Sequence, residues 1–169
     1  MRQTLLEEIK KEALRIEEDT EHAYKSLYND ASLWRLVDLV LIVAIAILSA
    51  IAGFTALESF ETGRYIIIFS AFGAAILAAV TKAIHPAKKS QNCHSAAVSI
   101  QSLRDRTRIF RNVEITSDIT DSDAKEKLDS LDKERSELRL LSPQPSQWGR
   151  LLARKGIESG ESKHQVDTD

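Results

Sequence analysis

Two uncharged stretches set close together constrain this chain more than any other feature. Leu39–Leu57 (LVLIVAIAILSAIAGFTAL) runs nineteen residues without a formal charge, and Tyr65–Thr81 (YIIIFSAFGAAILAAVT) runs seventeen. At about 1.5 Å of rise per residue these make helices of roughly 28 and 25 Å, against a bilayer hydrocarbon core of about 30 Å. Lys82 follows the second stretch directly and can snorkel to the headgroups. Only ESFETGR separates the two. The spacing predicts a two-transmembrane helical hairpin over residues 31–85, with both chain ends on one side of the bilayer.

Two other readings compete with it. Such helices also occur at the core of soluble bundles, but no other stretch of this chain is apolar enough to wrap both. A secretory signal would carry a basic leader and a small-residue cleavage site, whereas here the apolar run begins after a long charged segment. The net charge of -2 conceals segregation, since the charge lies almost entirely outside the hairpin. One cysteine, Cys93, excludes an internal disulfide and fits a reducing compartment. His22, His85, His94 and His164 lie apart from any second cysteine or paired carboxylate, so neither a metal nor a cofactor is expected. With no glycine-rich phosphate loop, no histidine–nucleophile pair and no carboxylate dyad in view, the chain does not read as an enzyme.

Ahead of the hairpin, residues 1–30 read as a cytoplasmic amphipathic helix. Leu6, Ile9, Ala13, Ile16, Thr20, Ala23 and Leu27 recur at steps of three and four, a coiled-coil-like packing seam. Glu7, Glu8, Lys10, Lys11, Glu12, Glu17, Glu18 and Asp19 are assigned to the solvated exterior. Asn29-Asp30 reads as a break and as a cap for the next helix, after which Trp34 and Arg35 stand at the membrane mouth.

In the first span, Asp38, Ile42, Ile45, Ser49, Ala52, Gly53 and Ala56 fall along one side at 100° per residue. That small and polar side is either a helix-packing face, as in Ser49-xxx-Gly53, or a pore lining made by Asp38, Ile42, Ile45, Ser49, Ala52 and Ala56. The second span carries small residues on more than one face: Ser70, Ala74 and Ala78, then Ala71, Ala75 and Ala79, with Gly73. One face can meet the first helix and another a neighbouring copy, so a symmetric homo-oligomer is expected. Lys25 and Arg35 before the hairpin, and Lys82, Lys88 and Lys89 after it, outweigh Arg64 in the turn, which also holds Glu58 and Glu61. The positive-inside bias therefore puts both termini in the cytoplasm.

Residues 86–141 read as a cytoplasmic basic helix followed by an acidic one. His85-Pro86 ends the second span, and from Ala87 to about Val113 the positions Cys93, Ala96, Ile100, Leu103, Thr107 and Phe110 form a seam that can pair with the first helix. Arg104, Arg108 and Arg111 share a face at i, i+4 and i+7. With Lys88 and Lys89 they are the expected ligand-binding residues, since guanidinium forks suit phosphate. The competing use of these arginines is to pair with the acids of residues 118–137 or with anionic lipid. A capped helix starts near Asp121 or Ser122 with a stripe of Leu128, Leu131, Leu138 and Leu141. Within 142–169, Pro143 and Pro145 precede one or two amphipathic turns around Trp148, Leu151 and Leu152, able to touch the membrane or the bundle, and then a disordered tail.

A long helix, a hairpin preceded by Trp34, and the segment IHPAKKSQNCHSAAVSIQSLRDRTRIF after it together resemble the SLATT proteins. These are bacterial two-transmembrane effectors found beside nucleotide-second-messenger synthetases in anti-phage systems. The resemblance covers roughly Leu6–Phe110, and the acidic helix and tail lie outside it. It implies an inner-membrane, pore-forming abortive-infection effector, tetrameric by the family's habit. The implied control is a nucleotide or a DNA or RNA oligonucleotide made by a partner nucleotidyltransferase. The alternative is a membrane-anchored scaffold that recruits a cytoplasmic protein and does not conduct.

Overall fold

In a computed structural model, which describes residues 2–57, 63–115 and 119–158, the chain is all-helical with no strand among those residues. Among the described residues five α-helices follow one another: α1 (Arg2–Leu57), α2 (Gly63–Ile84), α3 (Pro86–Ile109), α4 (Asp121–Leu141) and α5 (Gln147–Glu158). One π-helical turn, Phe110–Glu114, extends α3. Within it the Ile115 N–H reaches Phe110 O at 3.0 Å, the five-residue spacing of a π turn. The expected break at Asn29-Asp30 is absent, for α1 runs through it unbroken. The acids of the expected hairpin turn, Glu58 and Glu61, lie outside the described residues, as does Asp118.

Two compact units divide the chain. One comprises Met1–Ala31 with Asn92–Asp169, and the other Ser32–Gln91, so α1 and α3 contribute to both.

In the first unit the seams fall where the three-and-four spacing puts them. Ile9, Ala13, Ile16, Thr20 and Leu27 of α1 are buried with Leu6 and Ala23 half-covered, and on α3 Cys93, Ile100, Leu103 and Thr107 are buried, with Ala97 taking the buried place expected of Ala96, which is half-covered. Phe110, Ile115, Ala124 and Leu131 complete a core against Ile9, Ala13 and Leu103, with Leu6, Ile119, Leu128 and Leu138 half-covered around it. The stripe of α4 differs from expectation at its end: Leu141 is exposed, and Ala124 takes a fully buried place. Buried hydroxyls are satisfied within their own helices. Thr20 Oγ1 donates to Ile16 O at 2.7 Å and Thr107 Oγ1 to Leu103 O at 2.9 Å. Thr120 caps α4, its Oγ1 accepting the Asp123 N–H at 3.2 Å, with Asp121 and Asp123 in the dipole-favoured first turn.

In the second unit α2 shows one covered side, with Ser70 buried and Ile67, Gly73, Ala74, Leu77, Thr81 and Ile84 half-covered, again at steps of three and four. On α1 the half-covered side is Val37, Asp38, Leu41, Ala44, Ile45, Leu48 and Ala52. Gly73 lets the helices approach, because a Cβ there would stand 3.3 Å from Leu48 Cδ1. Helix α2 stops where expected. His85 takes a left-handed φ of 50°, the αR region being disfavoured before proline, and Pro86 opens α3 without needing a donor. His85 serves both helices: its N–H donates to Thr81 O at 3.0 Å and its carbonyl accepts the Lys89 N–H at 3.1 Å.

Candidate functional site

The arginine row of α3 is not an open cationic strip. Arg104 is buried, with Nη2 3.3 Å from Glu21 Oε2 and Nη1 3.6 Å from Asp105 Oδ1, and its guanidinium lies 5.8 Å from the centre of the Tyr24 ring. Lys25 approaches the other oxygen of Glu21 at 3.6 Å. Arg111 donates through Nε to Glu17 Oε2 at 3.0 Å. Half-buried Arg108 lies between them and pairs with no carboxylate among the described residues. The row is therefore neutralised at both ends and free at its middle.

The neutralising acids come mainly from α1. Glu17, assigned from the sequence to the solvated exterior, is buried instead. It and Glu21 each follow a seam residue, Ile16 and Thr20, and so occupy the flanking positions at which paired helices exchange ion pairs. That offset was the available signal. The acidic helix contributes elsewhere: Glu134 pairs with Arg106, raising the pKa of that guanidinium through a hydrogen bond, and Lys127 stands 3.9 Å from Glu114. Arg135 of α4 reaches back to Asp19 at 3.1 Å.

Lys88 and Lys89, in the second unit, are both exposed, with Lys89 Nζ 4.4 Å above the Trp34 ring. The expected pore-lining residues divide between two environments. Asp38, Ile45 and Ala52 are half-covered, Ile42 and Ser49 are exposed, and the side chain of Ala56 lies outside the described residues. The covered arc of α1 centres on Leu41 and Leu48, so its edge runs through the face the sequence proposed.

The apolar helices leave most of their surface bare. Leu36, Leu39, Val40, Ile42, Val43, Ile47 and Phe54 on α1, and Phe69, Phe72 and Ile76 on α2, are all exposed. Among the described residues two helices are long and apolar enough to cross a membrane; of their most apolar stretches, 0% of the first and 11% of the second is buried. A core helix of a soluble protein would be mostly covered. Small residues also stand on the open surface: Ala46, Ser49, Ala50 and Gly53 on α1, and Ala71, Ala75 and Ala79 on α2.

A feature that local reading of the sequence misassigned lies at Asp30. Its carboxylate is buried and caps not the next helix in sequence but α5, accepting the Ser146 N–H at 2.6 Å and the Ser146 hydroxyl. Ser146 Oγ in turn accepts the Gly149 N–H at 3.0 Å. Helix α5 is thus three turns long, more than the one or two expected, and Gly149 and Ala153 are buried. No group of three or more metal-ligating side chains exists among the described residues.

Compared with known proteins, the chain matches no family model, no curated protein and no solved structure.

Proposed function

We propose that this protein is a membrane effector whose apolar helices cross the bilayer as a hairpin, with both termini in the cytoplasm. Copies assemble through the small residues left open on α1 and α2, and the assembly forms a pore under the control of the first unit. The observation that carries this reading is a contrast within one chain. The first unit buries its apolar seams, while most apolar side chains of the second unit remain bare along two helices long and apolar enough to cross a membrane.

The control step follows from the arginine row. A phosphate-bearing signal, a nucleotide or oligonucleotide of the kind the SLATT resemblance implies, meets Arg108 first. To engage Arg104 and Arg111 it must displace Glu21 and Glu17, the carboxylates by which α1 holds α3. Binding is then linked to the packing of α1 against α3, and the signal shifts the state by its differential affinity. In an anti-phage setting at the bacterial inner membrane, a shift to the conducting state would stop growth of the infected cell.

Solute flux from liposomes carrying the purified chain, with and without oligonucleotide, tests the reading. Flux that responds to the ligand and is altered by Ser49→Leu supports it. Vesicles that stay sealed in every condition refute it. A second reading, a non-conducting anchor that recruits a cytoplasmic protein, is favoured by two observations: Arg104 and Arg111 are already neutralised, and Leu140 and Leu141 stand exposed at the end of α4. Under that reading Ser49→Leu leaves recruitment unchanged.

A further inference from the structure

Helix α5 presents two opposed sides. Gly149 and Ala153 are buried, and the Asp30 cap fixes which side that is. The opposite side carries Trp148, Leu151 and Leu152, exposed at 69%, 60% and 50%. Lys155 continues this side at the helical spacing and Arg154 borders it, while the exposed Arg150 stands beside the buried side. Against these cations α5 holds one acid, Glu158, which pairs with Arg154 at 2.8 Å.

We propose that this face of α5 lies on an anionic phospholipid surface, as an interfacial anchor separate from the membrane-crossing helices. The inference rests on the membrane reading above. Three observations choose lipid over a protein partner. A tryptophan beside two leucines is the composition favoured at the headgroup boundary, where the indole ring is half apolar and half wet. Lys155 stands in the middle of the apolar side; a protein pocket would have to bury its ammonium, whereas a lipid surface lets it snorkel to phosphate. Lys155 and the bordering Arg154 match the charge of acidic headgroups.

Trp34 and Trp148 are the two tryptophans of the chain, so each can be isolated. The full-length Trp34→Phe protein is placed in nanodiscs with or without phosphatidylglycerol and with lipids carrying shallow doxyl quenchers. Trp148 emission is expected to shift to the blue and to be quenched in the anionic discs. Both effects are expected to fall toward water-exposed values in phosphatidylcholine alone and in the variant carrying Arg154→Glu with Lys155→Glu. Trp148→Phe gives the matching reading from Trp34. Quenching of Trp34 with none at Trp148 overturns this proposal alone, while quenching at neither overturns the membrane reading with it. Trp148 shielded from aqueous acrylamide but untouched by lipid quenchers indicates a protein occupant and overturns the proposal too.

Discussion

Asp30 and Ser146 are far apart in sequence, yet the Asp30 carboxylate closes the N-terminus of α5 by accepting both the backbone N–H and the hydroxyl of Ser146. A carboxylate at a helix N-terminus meets unpaired donors and the positive end of the dipole. Asp30→Ala is therefore expected to cost about 0.5–2 kcal/mol, the range for a lost N-cap. The loss should appear as faster hydrogen exchange over residues 147–158, with exchange at the seam of α1 and α3 little changed. Equal protection of α5 in the variant would show that the cap contributes nothing.

Gly149 makes a prediction whose sign is informative. In an open helix, replacing glycine by alanine stabilises by about 1 kcal/mol. Here the added Cβ would stand 2.7 Å from Ser26 O and close against the Asp30 carboxylate, and backbone does not yield cheaply. Gly149→Ala is expected to destabilise the docking of α5, measured by thermal unfolding or by the same exchange experiment. A stabilised variant would contradict the packing described.

The arginines of α3 should separate by consequence. Arg104 and Glu21 are both largely covered, so removing either leaves a buried charge without its main partner, a loss of about 3–5 kcal/mol. Arg104→Gln and Glu21→Gln are expected to lower the unfolding midpoint strongly, and together to cost less than the sum. Arg108→Ala, with no pair to break, should stay within about 0.5 kcal/mol of the parent. If it also weakens oligonucleotide binding in a titration, Arg108 is the point of entry; unchanged binding removes it from the site.

Cys93 offers a pH test. Burial, and secondarily the charge of Asp30, push its thiol above the ordinary value of 9.0. The fold favours the protonated thiol, so this contribution is intact below about pH 9 and is lost as pH rises through the higher folded-state value. Ellman's reagent at pH 8 is expected to leave Cys93 untouched in the folded protein and to titrate it once unfolded. Rapid reaction in the native state would show the thiolate to be accessible.

The parts of the fold that were legible from sequence are those governed by repeating burial. Ile9, Ala13, Ile16 and Leu27, and Cys93, Ile100, Leu103 and Phe110, are buried where their spacing puts them. His85-Pro86 marked a helix end because proline chemistry is local. What escaped depends on distant partners. Asn29-Asp30 looked like a local cap, but the carboxylate is used by α5, so α1 continues through it. Glu17 looked solvated until α3 brought Arg111 to it. The small face of the apolar part of α1 was legible as a composition, but which part of it is covered depends on how Leu48 meets Gly73.

The central claim is that the bare helices of the second unit are bare because lipid covers them. Membranes from expressing cells, washed with alkaline carbonate and floated on a density gradient, test it most directly. The account predicts that the chain floats with the lipid after the wash and leaves it only in detergent. Recovery as a monodisperse species in detergent-free buffer would contradict it.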